Sequence, residues 1–370
     1  MIVVAVSAGI DSMVLLDYLY KQNQEIVIAH VNYQKRVDSF IDSITIKEFI
    51  KDKNIKFEEL IVDKESYTSD NFQAQARYIR YDFFKEIAKK YNTNDVYVAH
   101  HKDDYLETYL FKVNRKGLYD YYGIKETSEY NGMIIHRPLI NLYKEDIEKY
   151  AKENGIPFHE DSSNKTLDYT RNQIRQYLSS LSVVEKNNIY KEAVLKNEEN
   201  KNEINFVKEN NVKFLKVEVF NSWSKDIKRR WLFNAIKKYD ITTKYLDDIC
   251  YKISYSNNFK VTFLDTTIAK AYDIIYVLDN SLNEYSKAIN NENDFNKMYD
   301  EWKNNYNYII RKPKCDYPYI IRNYRKEDFD FLSLDYKKFR LKIKKKKTPF
   351  FLREYLPVVE KDGKIIEFIY

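Results

Sequence analysis

Cysteine is nearly missing from this chain of 370 residues, with only Cys250 and Cys315 present. Two isolated cysteines exclude a disulfide framework and a cysteine-based zinc site. No apolar run approaches the roughly 18 residues that a membrane helix needs, so a helical membrane span is excluded. The opening MIVVAV has no positively charged start and is too short for a secretory signal; the chain is expected in the cytoplasm. Neither charge sign dominates. The net charge of +6 permits a polyanionic partner without demanding one. Glycine and proline, six of each, are scarce against 35 tyrosines and abundant Lys, Asn and Ile. The enriched residues share A/T-rich codons, a bias that reflects the genome more than function.

What is present is a globular composition, 44% hydrophobic and 32% charged. The length predicts two or three domains, because one core rarely grows past about 250–300 residues. The chain is organised around its first dozen residues. Met1 to Val6 reads as a short buried strand, Ser7-Ala8-Gly9-Ile10-Asp11-Ser12 follows at once, and a helical pattern begins near Met13. A strand that ends in small hydroxyl residues and opens a helix presents backbone N–H groups where the helix dipole is positive. That geometry binds phosphate. The loop matches neither the Walker pattern nor GxGxxG.

Further along, residues 26–31, 57–62 and 95–99 read as strands, while Ser39 to Lys51 and Asn71 to Tyr91 show helical periodicity. Strands alternating with such helices predict an α/β fold with a mostly parallel sheet, whose ligands sit beyond the strands' carboxyl ends. There His100 closes the strand at 95–99. Asp104 and Glu107, three residues apart, share one face at the start of the next helix, whose buried face is predicted from Leu106, Leu110 and Val113. Gln73, Arg77 and Arg80 form a stripe suited to phosphate oxygens. Asp161-Ser162-Ser163-Asn164 with Arg171 and Arg175 makes a later polar cluster. Residues 186–280 show one helical stretch near Ile227 to Tyr239, and 281–305 read as a polar connector, open to a helix. The tail turns strand-like at 318–322 and 364–369. Between these lies RLKIKKKK (340–347), six basic residues in eight, either a solvated face or a contact for an RNA backbone.

The ordered set SAGIDS, HVNYQKR (30–36), NFQAQARYIRY (71–81), AHHKDDYLET (99–108), RPLI (137–140) and DSSN…YTRNQIR resembles the tRNA(Ile)-lysidine synthetase family. The likeness covers most of residues 1–180 and resumes in the tail, at IRNYRKED (321–328) and TPFFLREYLPVVEKDGKIIEFI (348–369). Its first motif resembles the PP-loop of enzymes that cleave ATP between the α- and β-phosphates. The chain departs from the family at Ala8 and Lys116, where glycine is usual, and at Tyr33 and Lys35. A Cβ at position 8 bears on the loop geometry, because positive φ suits glycine best.

The resemblance implies a Rossmann-like PP-loop domain over 1–185, a mostly helical tRNA-contacting domain over 186–285, and a linker with a small α+β tRNA-binding domain over 286–370. It implies an ATP- and Mg²⁺-dependent ligase acting in the cytoplasm on an isoleucine tRNA with anticodon CAU, whose wobble cytidine receives L-lysine; it allows a homodimer and no membrane. Ser7 to Ser12 would cradle ATP, with Asp11 on the metal. Arg36, Arg77 and Arg80 would stabilise phosphate charge, and His100 would orient the adenylate. Asp104 and Glu107 would take the lysine ammonium, with Asn164, Arg171 and Arg175 also on the substrate. Two rival readings are a thiolase-type PP-loop enzyme, which needs cysteines near the loop, and a non-catalytic RNA-binding relative, which would be expected to lose the acidic pair.

Overall fold

The computed structural model describes the chain except residues 35–38, 64–71, 160–168, 237–240, 264–265, 280–284, 326 and 333. In chain order its first part runs β1 (Ile2–Ala5), α1 (Ile10–Lys21), β2 (Ile26–Asn32), α2 (Phe40–Ile50), β3 (Lys56–Ile61), α3 (Phe72–Lys90) and β4 (Asp95–Tyr97). Then come α4 (Lys102–Asn114), β5 (Thr127–Tyr130), β6 (Met133–His136), α5 (Lys144–Glu153), α6 (Tyr169–Ser179) and α7 (Val183–Glu209). The strands form one sheet in the order β3-β2-β1-β4-β6-β5, with every neighbouring pair parallel except β5 with β6. From β1 the chain steps outward through β2 to β3, then returns to place β4 on the other side of β1. Strand order therefore reverses between β1 and β4, which opens a crevice beyond their carboxyl ends.

The central strands β1 and β2 are buried on both faces, which is why they read as continuous apolar runs. Val4, Val6 and Ile28 pack with Leu15, Leu16 and Leu19 of α1 and Ile147 of α5. Val3, Val27 and Val96 point the other way, onto Phe83, Phe84 and Ile87 of α3. Each such aliphatic side chain contributes about 1.5–3 kcal/mol by leaving water. The buried face of α4 is set by Tyr105, Leu106 and Tyr109, whereas Val113 is exposed. These tyrosines meet Ile174 and Leu178 of α6 and Ala193 of α7. Asn197 of the otherwise polar α7 donates to the Tyr105 hydroxyl (3.1 Å) and the Tyr122 carbonyl (2.7 Å), and accepts from the Tyr122 amide (2.7 Å).

The chain divides into two compact units, Met1–Asn200 and Lys201–Tyr370. The second holds β7 (Phe214–Lys216), α8 (Val217–Ser222), α9 (Lys225–Ile236), α10 (Thr243–Tyr255), β8 (Asn258–Thr262), β9 (Thr266–Ala271) and β10 (Ile274–Asp279). It continues with β11 (Ser286–Ile289), α11 (Glu292–Tyr306), β12 (Tyr319–Asn323), α12 (Asp328–Phe331), α13 (Tyr336–Lys345), β13 (Pro357–Lys361) and β14 (Lys364–Phe368). Two antiparallel sheets result, ordered β7-β10-β9-β8 and β11-β12-β13-β14. The first was not legible in the sequence. Its central strand β9 is buried throughout yet carries Thr266, Thr267 and Lys270, and the Lys270 ammonium is satisfied by the Ile253 carbonyl at 2.6 Å. The stretch 281–305, read as a polar connector open to a helix, carries the helix α11 and also the strand β11. Asn291 caps that helix, and Phe295, Met298 and Trp302 make its buried stripe.

Two of the chain's departures from glycine sit at left-handed backbone: Ala8 has φ +62° and Lys116 has φ +49°. Lys116 occupies the position just past the end of α4, where glycine commonly closes a helix. Its side chain is exposed, whereas Ala8 is fully buried. Lys116→Gly is expected to raise stability by up to about 1 kcal/mol, because it relieves the Cβ clash and sacrifices no packing. Ala8→Gly should come out near neutral, the same relief being offset by roughly 0.8 kcal/mol for the buried methyl it removes. Urea midpoints of the two variants check this; equal shifts would contradict it.

Candidate active site

At the mouth of the crevice, Ser12 stitches the loop after β1. Its Oγ donates to the Gly9 carbonyl at 2.9 Å and accepts from the Ser7 amide at 3.1 Å. Gly9 caps α1 without a side chain, so the helix's first turn keeps its dipole for an anion. The loop is braced from outside by the His159 amide, which donates to the Ala8 carbonyl at 2.9 Å. Asp11, in the first turn of α1, is not alone: the Lys144 ammonium donates to its Oδ1 at 2.6 Å.

Lys144 opens α5, and its backbone amide donates to Oδ2 of Asp103 at 2.9 Å. The other oxygen of Asp103 meets Lys186 of α7 at 2.8 Å, and Lys186 also reaches Glu145 at 3.0 Å. Burial opposes the charge on Asp103, but His101, Lys186 and the Lys144 amide hold its carboxyl well below the usual range. His101 caps α4 while Asp104 Oδ2 accepts from the His101 amide at 2.9 Å. Burial disfavours an imidazolium here, yet Asp103, Asp104 and Asp11 outweigh it and raise the His101 pKa above its ordinary value.

The adjacent histidine is tuned the other way. Burial pushes His100 down to about 4, with Arg137, Arg80 and Arg77 adding to the effect against Asp104. Arg137, just beyond β6, donates from Nε to His100 Nδ1 at 3.3 Å. Arg77 and Arg80 project from α3 at exposed positions, with the Arg77 guanidinium 4.5 Å over the Tyr81 ring. Tyr33 ties that end of α3 to β2 by donating to the Ala76 carbonyl at 2.7 Å.

Glu107 lies one turn deeper in α4 and is nearly buried. Arg175 of α6 donates from Nε to its Oε2 at 2.6 Å, and Arg171 stands 3.7 Å from Oε1. The two carboxylates expected to act together therefore differ: Glu107 is 6% exposed and already neutralised, while Asp104 is 29% exposed. Arg36 and Asn164 lie outside the described residues.

Residues 1–181 match the PP-loop domain family. The chain is 33% identical to the tRNA(Ile)-lysidine synthase of Mesoplasma florum, over 89% of this chain and 85% of that protein. It is 32% identical to the synthase of Thermosipho africanus, over 98% of this chain and 87% of that one. The chain belongs to the tRNA(Ile)-lysidine synthase family. The synthase of Mycoplasma mycoides is also 33% identical, over 78% of this chain and 76% of its own length.

Within that family assignment, the loop, the arginine stripe, His100 and the acidic turn are the parts of the site that the sequence names. It assigns nothing to Asp103, Arg137, Lys144 or Lys186. Arg137 is legible only as part of RPLI, and the lysines only as ordinary surface charge. Asp11 offers a hard carboxylate oxygen of the kind Mg²⁺ takes beside nucleotide phosphates. Among the described residues no three His, Cys, Asp or Glu side chains converge on a metal position.

The raised His101 pKa carries a sign. A group whose folded pKa is raised adds stability that is fully present below its unfolded value, near 6.5, and is lost as pH rises through the folded value. His101→Gln should therefore cost more stability at pH 6 than at pH 9, read from urea midpoints at both. An equal loss at the two pH values would show that His101 is not the titrating group.

Proposed function

We propose that this chain uses ATP and Mg²⁺ to ligate L-lysine to C2 of the wobble cytidine in an isoleucine tRNA with anticodon CAU, releasing AMP and pyrophosphate. The observation that carries this reading is the convergence of the phosphate loop, a neutral His100 and the acidic first turn of α4 on the β1/β4 crevice. The C2 oxygen of cytosine is a poor leaving group. It attacks the α-phosphorus of ATP, the bond to pyrophosphate breaks, and an adenylated tRNA forms. The ε-amine of lysine then attacks C2, the C2–O bond breaks and AMP departs.

Ser7 to Ser12 hold the phosphates, and a Mg²⁺ ion at Asp11 would supply charge for the departing pyrophosphate. Arg80, Arg77 and Arg36 stabilise phosphate charge, and His100 orients the adenylate. Asp104 receives the lysine ammonium and takes the proton that the nucleophile must lose. Its Oδ2 serves the helix cap, which leaves Oδ1 for the ligand. Glu107, balanced by Arg175 and Arg171, is the inner wall of that pocket, and Asn164 completes the substrate side. Residues 186–285 and 286–370 contact the tRNA, and the chain works in the cytoplasm, singly or as a homodimer. A thiolase reading is disfavoured by the thiols. Cys250 and Cys315 both belong to the second unit, and burial pushes the Cys250 thiol up to about 11, far from a reactive thiolate.

The direct test is incorporation of labelled lysine into tRNA(Ile) when ATP is supplied. In that assay Asp104→Asn keeps the helix cap but loses the charge. It should retain tRNA-dependent pyrophosphate release and raise the KM for lysine ten- to a hundredfold, or about 1.5–3 kcal/mol for one charge-assisted hydrogen bond. Loss of pyrophosphate release with lysine binding intact would move Asp104 to the ATP site.

The basic run forms much of α13. Phe339 and Ile343 are buried, while Lys337, Lys338, Lys342, Lys344, Lys345, Lys346 and Lys347 are exposed. Among the described residues none of these seven ends in an ion pair, whereas Lys287, Lys312 and Lys252 of the same unit do. Neutralising four of the seven should raise the KM for tRNA and reduce the salt slope by roughly 0.7–0.9 for each phosphate that the protein no longer neutralises. An unchanged slope would make the run a solvated face.

A further inference from the structure

Arg137 is buried beside the crevice, yet its guanidinium meets an imidazole and not a carboxylate. Nε donates to His100 Nδ1 at 3.3 Å, and Nη1 donates to the carbonyls of Lys125 (2.8 Å) and Ile135 (3.4 Å) and to Ser128 Oγ (3.0 Å). Three of these hydrogen bonds thus anchor the group to β6 and to the segment leading into and through β5, and the fourth goes to one ring nitrogen. A guanidinium carries donors only. Nδ1 of His100 must therefore supply a lone pair, and the single proton of the neutral ring lies on Nε2. Among the described residues none accepts from Nε2. The charged groups facing this ring are Asp104 from α4, Arg137 from the end of β6, and Arg77 and Arg80 from α3.

We propose that Arg137 is a positioning residue for the ligation: it fixes His100 as a neutral Nε2–H donor, so that His100 serves the nucleotide as a hydrogen-bond donor and never as a base. The inference rests on the ligase reading for its substrate and on the Arg137–His100 pairing for its chemistry. When the cytidine oxygen attacks the α-phosphorus, negative charge grows on the α-phosphate oxygens, and an N–H already in place stabilises it without reorganisation. The proton stays on Nε2 throughout, and no bond to the ring forms or breaks. A base at this position would have to accept a proton. Nδ1 is blocked by a cation and Nε2 is already protonated, so the lysine proton goes elsewhere, to the carboxylate side of the crevice. A neutral donor of this kind polarises an oxygen without bringing a full charge that would hold the product.

The test begins with the intact wild-type chain and needs no variant. Nitrogen-15 NMR of the His100 ring between pH 6 and 8 should show a proton bonded to Nε2 and a bare Nδ1. A ring protonated on Nδ1, or on both nitrogens, would overturn the assignment. The second measurement is a cycle of variants read by tRNA-dependent pyrophosphate release. Arg137→Met should lower kcat about tenfold with the KM for ATP nearly unchanged, and Arg137→Lys, which can still donate to Nδ1, should recover most of the loss. On a His100→Ala background, Arg137→Met should cost nothing more, because it acts only through that ring. Additive losses, or an Arg137→Lys protein as poor as Arg137→Met, would reduce Arg137 to a purely structural role. If the wild-type chain released no pyrophosphate with tRNA, the ligase reading would fall, while the ring spectrum would still decide the state of His100.

Discussion

The carboxylate of Asp103 is the knot on which the site depends. It accepts from the first amide of α5, meets the nearly buried ammonium of Lys186 on α7, and faces His101 at the cap of α4. One side chain thus fixes the starts of two helices and a third helix behind them. Removing a partner from a buried ion pair leaves an uncompensated charge, and typically costs about 3–5 kcal/mol. Because Lys144 follows directly from that knot, its ammonium is delivered to Asp11, across the crevice in the phosphate loop.

The same region separates two neighbouring histidines by environment. His100 faces arginines and is kept neutral; His101 faces carboxylates and is held toward the charged form. Adjacent residues of one type are thereby shifted in opposite directions. His101 sits among three aspartates that favour its charged form, while His100 remains available as an uncharged group beside Arg77, Arg80 and Arg137. The acidic pair of α4 is sorted in a comparable way. Arg175 neutralises Glu107 inside the fold, and Asp104 stays at the rim with one oxygen committed to the helix cap.

The short phosphate loop illustrates how a tight fold absorbs local strain. Ala8 takes a left-handed conformation that costs an alanine up to about 1 kcal/mol relative to glycine. The position survives because its neighbours over-determine it: the strand before it is buried on both faces, Ser12 ties the loop to itself, and His159 binds its carbonyl.

Local chemistry was legible in the sequence wherever one period and one environment ruled. The central strands β1 and β2 read as apolar runs because both of their faces are buried, and the loop, the arginine stripe of α3 and the acidic turn of α4 announced themselves by spacing along a single helix or turn. The antiparallel sheet of the second unit did not. β9 buries threonines and a lysine whose partner, the Ile253 carbonyl, is supplied by another element, so its composition looks exposed. The pairings that define the site have the same origin. Lys144 with Asp11, Arg137 with His100, and Arg175 with Glu107 join residues 133, 37 and 68 positions apart, and a lone Lys or Arg in sequence is most often a solvated charge. Hydrophobic periodicity is a property of one segment. Which cation neutralises which buried carboxylate, and which nitrogen of a histidine keeps its proton, depends on groups that only the folded chain brings together.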